Sequence, residues 1–432
     1  MNNSLLELIS VSQTFIKPDG HKQKILDKIN LQLYEGEIIA ILGKSGSGKS
    51  SLLRIIANLV PPTKGKVKFQ CSKNSNSVDI SMIFQTFALF PWLTILENVE
   101  LGLEATKMPS SERREKALAI IDLIGLDGFE SAYPRELSGG MKQRVGFARA
   151  LVVDPKIILM DEPFSALDIF TATTLKNDFL DLWTSRKTSL KSVVLVTHSI
   201  EEAVQMADRV LILASNPGHI VSEFLIDLPR PRELHSDQFS KAVNHIYGLM
   251  AAASQKNLIE AEQKSSEDNI ARKLPFISPN QLAGVADTII SPPYKGSAKL
   301  AELVKNLNIN TSEMLHITEA LEMLKLALVE NGSIKLNKAG KMFANGDLAQ
   351  RKRIFAEHLL VNVPLAAYIR KILHERPDNK APRTRFQTHL EDHLSSEDAA
   401  IALKTVIVWG RYGEIFSYDD GKKMFSLENP TA

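Results

Sequence analysis

At 432 residues the chain exceeds one ordinary core and predicts two or more domains. With 52 Lys plus Arg against 50 Asp plus Glu, a net charge of +2, it has neither the basic excess of a nucleic-acid-coating protein nor an acidic tail. Its one cysteine, Cys71, excludes an intrachain disulfide and fits a reducing cytosol; no basic-then-apolar leader is visible, and no run reaches the ~18–20 apolar residues of a membrane span.

In chain order, residues 5–11 and 29–33 predict strands around a turn at Pro18-Asp19-Gly20. Phe15 ends the first strand; its face suits stacking on a nucleotide base, the competing reading being an ordinary core aromatic. Residues 37–42 predict a short buried strand and 51–57 the start of a helix. Between them stands Gly43-Lys44-Ser45-Gly46-Ser47-Gly48-Lys49-Ser50-Ser51, which fits the phosphate-cradling pattern G-x-x-x-x-G-K-[ST]. The glycines let successive backbone N–H groups turn toward a polyphosphate, and the helix N-terminus adds partial positive charge. Lys49 is expected to reach the β- and γ-phosphates, and the Ser50 hydroxyl to ligate Mg²⁺.

Residues 81–84 predict a strand ending in Gln85, followed by an apolar, aromatic connection, Thr86-Phe87-Ala88-Leu89-Phe90-Pro91-Trp92. A buried loop and a partner-docking surface both account for it. Thr94 and Glu97 carry a capping-box signature, and a helix is predicted over about 111–124, closed by Gly125. Leu137-Ser138-Gly139-Gly140 then opens another helix, a second N-terminus suited to an anion. The apolar strand 156–160 delivers Asp161 and Glu162 to its C-terminal end, the ligand edge of open α/β sheets. Asp161 suits a Mg²⁺ shell and Glu162 the orientation and deprotonation of a water. A buried strand over 193–197 ends in His198 at the same edge.

These residues carry a family resemblance. Residues 1–230 resemble the nucleotide-binding subunit of an ABC transporter. Phe15 stands at the base-stacking position, 43–51 as Walker A, Gln85 in the Q-loop and Leu137 to Gly140 as signature. Asp161-Glu162 stand as Walker B and catalytic acid, Ser165 to Asp168 as D-loop, and His198 as switch histidine. Met141 departs from the commonest signature, which has Gln there. Within the superfamily, residues 90–99 resemble the group importing nitrate, sulfonates, taurine and bicarbonate. The resemblance implies an α/β P-loop NTPase with a helical subdomain. Two copies would pair head to tail around two ATP molecules, with Ser138, Gly139 and Gly140 of one capping the γ-phosphate held by the other. Gln85 would sense Mg²⁺ and His198 would contact the γ-phosphate. A separate integral membrane permease would dock on 86–92, and a solute-binding protein would take part indirectly. The site would work at the cytoplasmic face of the inner membrane.

The ATP-binding domain is expected over 1–232, a helix and polar linker over 233–269, and a mostly α domain over 270–432. The last region has a weak internal repeat: helices near 279–289, 298–306 and 311–326 precede a hairpin at Asn331-Gly332, and helices near 364–374, 382–392 and 396–409 precede one at Asp419-Asp420-Gly421. A helix over 347–360 joins the halves. Three helices and a wing form the winged-helix pattern, and the region resembles the C-terminal domain appended to some ATPases of the import group. The third helices carry Glu313, Glu319 and Glu322, or begin with Glu397-Asp398, so they repel phosphates and argue against DNA. A protein-contact or regulatory role is expected. The rival readings are a soluble ABC ATPase of repair or assembly and a DNA-binding, ATP-switched regulator. Repair-type members would need a coiled-coil insertion, which is not visible between Gln85 and Leu137.

Overall fold

The computed structural model describes residues 3–16, 22–44, 46–69, 80–104, 106, 108–186, 188–215, 217–262 and 270–427. The chain forms two compact units, residues 1–239 and 240–432. The expected turn residues 18–20, Asn216 and the polar run 263–269 lie outside the described residues.

The first unit is built on a six-stranded sheet. Its strands are β3 (Ile38–Leu42), β5 (Ile80–Ile83), β6 (Ile157–Asp161), β7 (Ser192–Thr197), β8 (Arg209–Ala214) and β9 (His219–Leu225), ordered β5-β6-β7-β3-β8-β9. All neighbours run parallel except β8 and β9. Every residue of β3, β6, β7 and β8 is buried, as expected of strands covered on both faces. A second, antiparallel sheet, β2-β1-β4, joins β1 (Ser4–Ile16), β2 (Lys22–Tyr34) and β4 (Lys64–Phe69). Its apolar face shares a core with α1 (Lys49–Ile56) and the main sheet, through Leu6, Leu8, Leu33, Leu52, Ile56 and Leu159 among others.

The first two strands run longer than their alternation predicts. Bulges explain this: Ser10 and Lys28 have φ near +49°, and the register shifts beside them break the two-residue period. Gly65 of β4 sits where a Cβ would lie 2.4 Å from the Ser10 carbonyl, so the bulged backbones touch directly. The helical part comprises α2 (Ile95–Glu104), α3 (Ser110–Leu123) and α4 (Gly139–Leu151). Two helices that periodicity did not pick out, α5 (Ile169–Ser185) and α6 (Ile200–Met206), follow β6 and β7. Each starts on a side-chain cap, Asp168 and Ser199.

In the second unit, α7 (Asp237–Glu262) belongs to the packed body from residue 240 onward. Tyr247 places its hydroxyl 3.0 Å from Thr311 Oγ1, and a Cβ at Gly332 would lie 2.1 Å from the Asn244 carbonyl. The first half contains α8 (Pro279–Ile290), β10 (Ser297–Lys299), α9 (Leu300–Leu307), α10 (Thr311–Met323), β11 (Ala327–Glu330) and β12 (Ser333–Leu336). Then α11 (Lys338–Asn345) and α12 (Leu348–Asn362) lead to the second half. This half repeats the order with α13 (Pro364–Glu375), β13 (Lys380–Pro382), α14 (Arg383–Glu391), α15 (Ser396–Tyr412), β14 (Ser417–Asp419) and β15 (Met424–Ser426). Each wing is a three-stranded sheet, β10-β12-β11 and β13-β15-β14. The third strand comes from between the first two helices of each half; at three residues, each is too short to show alternation. The first wing turns through Asn331 (φ +50°) and Gly332 (φ +72°), the two left-handed residues a type I′ turn demands. Between the halves, Phe355 meets Trp409 and Tyr412 edge-on, and buried Trp409 donates from Nε1 to the Ile277 carbonyl at 2.7 Å.

Candidate active site

The phosphate loop runs from the end of β3 into α1. A Cβ at Gly43 would lie 2.6 Å from Ser47 Oγ and 2.7 Å from the Leu213 carbonyl, so only glycine fits. Gly46 (φ +76°) and Gly48 (φ +96°) take left-handed conformations that free the chain to wrap. Ser47 is buried, and among the described residues its hydroxyl has no hydrogen-bond partner, which suits a phosphate acceptor. Lys49 is only 6% exposed, and its Nζ donates to the Gly43 carbonyl at 2.8 Å and the Lys44 carbonyl at 3.1 Å. Burial lowers its pKa, while Glu162 and Asp161 pull the other way. Ser51 follows half-buried on the first turn of α1, and Ser45 lies outside the described residues.

Asp161, the last residue of β6, accepts from the Ser50 hydroxyl at 3.0 Å. Burial raises its pKa, and the Ser50 hydrogen bond opposes this. Asp161 and Ser50 present hard oxygens, and Gln85 brings an amide oxygen; this donor chemistry suits Mg²⁺ completed by phosphate and water.

Glu162 takes φ +47°, a conformation costing about 1–2 kcal/mol for a residue with a side chain. Its N–H donates to the Val196 carbonyl at 2.9 Å, and its own carbonyl accepts from Ser165 Oγ at 2.9 Å, which hold that backbone. One carboxylate oxygen, Oε2, then meets two side chains: Gln85 Nε2 donates to it at 3.3 Å, and His198 Nδ1 lies 3.1 Å away. The His198 hydrogen bond holds the Glu162 pKa below the usual range, and the same bond raises that of His198. Three strand ends, those of β5, β6 and β7, thus bring Gln85, Glu162 and His198 into one cluster.

Sequence reasoning missed Glu202, in the first turn of α6. It is 8% exposed, its Oε1 has no partner, and burial pushes its pKa up to about 7. Lys176 and His198 favour its charged form, and Glu162 opposes it.

The second anion-suited helix start is formed by α4. Ser138 Oγ accepts from the Met141 N–H at 3.3 Å. A Cβ at Gly140 would lie 2.2 Å from Thr171 Cγ2, so the glycine lets α4 and α5 approach. Phe15 is 44% exposed at the end of β1, outside the core.

The aromatic connection after β5 is anchored and exposed at once. Fully buried Asn98 accepts from the Phe90 N–H at 2.9 Å and donates to the carbonyls of Phe90, Leu93 and Thr94. Thr94 and Glu97 form the expected capping box. Phe90 and Trp92 pair their rings at 5.3 Å, yet they are 37% and 69% exposed.

The sequence profile of the ABC transporter family matches residues 26–165, and that of the C-terminal AAA-associated domain matches residues 301–419. The chain is 46% identical over 241 residues to an uncharacterized ABC transporter ATP-binding protein of Methanocaldococcus jannaschii, covering 56% of this chain and 89% of the relative. It is 43% identical over 229 residues to a nitrate import ATP-binding protein of Synechocystis, covering 53% and 85%. It is 40% identical over 232 residues to an aliphatic sulfonates import ATP-binding protein of Bacillus cereus, covering 54% and 90%.

Proposed function

Because this chain belongs to the family of ABC transporter ATP-binding proteins, ATPases of the α/β P-loop fold, we propose that it drives uptake of a small oxyanion of the nitrate, sulfonate, taurine or bicarbonate class. The observation that carries the reading is the cluster of Gln85 and His198 on one oxygen of Glu162, at the sheet edge that also holds Lys49, Ser50 and Asp161. Glu162 accepts the proton of the attacking water, and the strained backbone aims it. His198 meets the γ-phosphate, and Lys49 offsets charge on the β- and γ-phosphates. Gly43 to Ser51 cradle the polyphosphate, and Phe15 stacks on the base. Ser50, Asp161 and Gln85 would hold Mg²⁺, which would supply charge neutralisation when bound. Ser138, Gly139 and Gly140 act on the ATP of a second copy, so the working form is a homodimer.

Among the described residues no helix is long and apolar enough to cross a membrane. The import relatives support a separate permease as the spanning partner, at whose cytoplasmic face the chain works and through which a solute-binding protein acts indirectly. Phe90 and Trp92 are its anchors, since paired aromatics held exposed by a buried Asn98 mark an interface. The second unit is regulatory: the catalytic cluster lies in the first unit, and the acidic helix starts argue for a protein target over nucleic acid.

Coexpression with the cognate permease tests the reading. Phe90→Ala with Trp92→Ala should cost ~2 kcal/mol or more of docking, abolishing copurification and transport while ATP turnover of the free subunit persists. Normal transport by that variant would refute the docking assignment. Removal of the second unit, residues 240–432, should keep ATP turnover but change its rate or its response to anions; identical behaviour would leave the second unit a tether.

A further inference from the structure

The helix that begins at Ser138 also reaches the aromatic connection. Arg149, near the C-terminal end of α4, donates from Nη1 to the Ala88 carbonyl at 2.6 Å and from Nη2 to the Phe87 carbonyl at 3.4 Å. Ala88 sits at φ +48°, a left-handed conformation that an alanine holds only with outside support. Phe87 runs along the same helix. A Cβ at Gly146 would lie 3.9 Å from its carbonyl, and a Cβ at Gly139 would lie 3.9 Å from Cζ at the tip of its ring. Residues 87–88 are thus clasped at one end of α4 by a guanidinium, and the Phe87 ring reaches toward its other end, within van der Waals range of where a side chain at position 139 would begin. Gly139 and Arg149 are ten positions apart, about 15 Å of helix.

We propose that Arg149 is a positioning residue that carries the state of the permease-docking connection, residues 86–92, to the ATP-capping start of α4, residues 138–140. The inference rests on the functional reading above and adds the physical link. A helix three to four turns long moves as a rod. A displacement of residues 87–88 therefore pulls on the fork of Arg149 and, through the rigid helix, moves Ser138 with it. Arg suits this task because its planar fork reaches two successive carbonyls; Lys would reach as a single point charge. A merely structural Arg149 would stabilise the fold without linking the two ends.

Trp92 reports on the connection, and the signal that Trp92→Phe removes defines its contribution. In full-length Glu162→Gln protein, ATP should drive a dimer seen by size exclusion and shift the Trp92 emission. Adding Arg149→Gln should leave the ATP-dependent dimer and remove the shift, and Arg149→Lys should keep part of it. With the permease, Arg149→Gln should copurify at the parent yield while permease stimulation of ATP turnover falls on the order of tenfold. Should Arg149→Gln fail to fold, Arg149→Lys carries the test, since it keeps the charge and stem and loses the fork. An undiminished shift in the Arg149 variants overturns the proposal, as does no shift in a parent that dimerises. Lost copurification also overturns it, because Arg149 would then only shape the docking surface. A parent that does not dimerise with ATP refutes the functional reading itself, and this inference falls with it.

Discussion

The ligand edge of the parallel sheet and the winged halves of the second unit spend the same kinds of polar side chain in different ways. In the second unit, Ser278, Asn310 and Ser395 in the winged halves and Asn337 and Asp347 on the helices between them each accept a backbone N–H at a helix start, and Ser278 with Gln281 completes a capping box. Those groups are satisfied by the chain itself. At the sheet edge, Ser47 Oγ and Glu202 Oε1 are buried without partners among the described residues, Glu162 holds a left-handed backbone, and Lys49 donates to two backbone carbonyls while two carboxylates stand nearby. Partnerless buried atoms also occur among the described residues of the winged halves, at Arg383 Nε, His389 Nε2 and Tyr418 Oη, so the ligand edge is marked by their gathering with a strained carboxylate and a buried lysine.

The largest effect that sharpens this contrast is catalytic. Glu162→Gln should lower ATP turnover by roughly 10²–10⁴-fold while ATP still binds, because the amide keeps the shape and cannot take the proton. Turnover near the parent rate would move the chemistry away from the strained carboxylate. Lys49→Ala should weaken ATP binding or turnover on the order of 10²-fold, as a titration and a turnover assay would read.

The next effect concerns Glu202. Its folded pKa of about 7 lies above the ordinary value of 4.5, so the folded state holds its proton more tightly than the unfolded chain. Stability is therefore lost as pH rises from 4.5 toward 7, and the cost is complete above that. Glu202→Gln should match the parent near pH 4.5 and be more stable at pH 8 by up to about 3 kcal/mol, from denaturant midpoints at the two pH values. A difference that does not grow with pH would show that this carboxyl is not held neutral by burial. His198 titrates in the same sense at higher pH: its raised pKa makes its pairing with Glu162 fully stabilising below 6.5 and lost as pH rises through the folded value.

The smallest effect compares two serines with one local geometry. Ser138 and Ser395 each cap a helix, accepting from the N–H three residues on at 3.3 and 3.0 Å. Ser395→Ala should cost ~1 kcal/mol of stability and leave turnover unchanged. Ser138→Ala should cost a similar amount and also lower turnover, about tenfold if one hydrogen bond to phosphate is lost. Equal turnover in the two variants would break the distinction between a structural and a functional cap.

Much of this protein was legible in the sequence because the signals are local. Gly43, Gly48, Lys49 and Ser50 announce a phosphate loop through backbone freedom and charge over eight residues, and apolar runs ending in Asp161, Glu162 and His198 announce buried strands with a polar edge. Asn331-Gly332 announced its wing for the same reason. Other features depend on partners distant in the chain. Sequence alone did not reveal that Gln85 and His198 share one oxygen of Glu162, because β5, β6 and β7 become neighbours only when the sheet forms. The bulges at Ser10 and Lys28 cut two long strands into short patterns, and the three-residue strands β10 and β13 pair across distances no window spans. Glu202 reads as one more surface acid on a helix until packing buries it, and Arg149 as one more helical cation until residues 87 and 88 are laid against it. Residue type and spacing determined which chemistry the chain can hold. Tertiary packing decided which groups were taken out of water together, and with them the charge states and couplings that low dielectric creates.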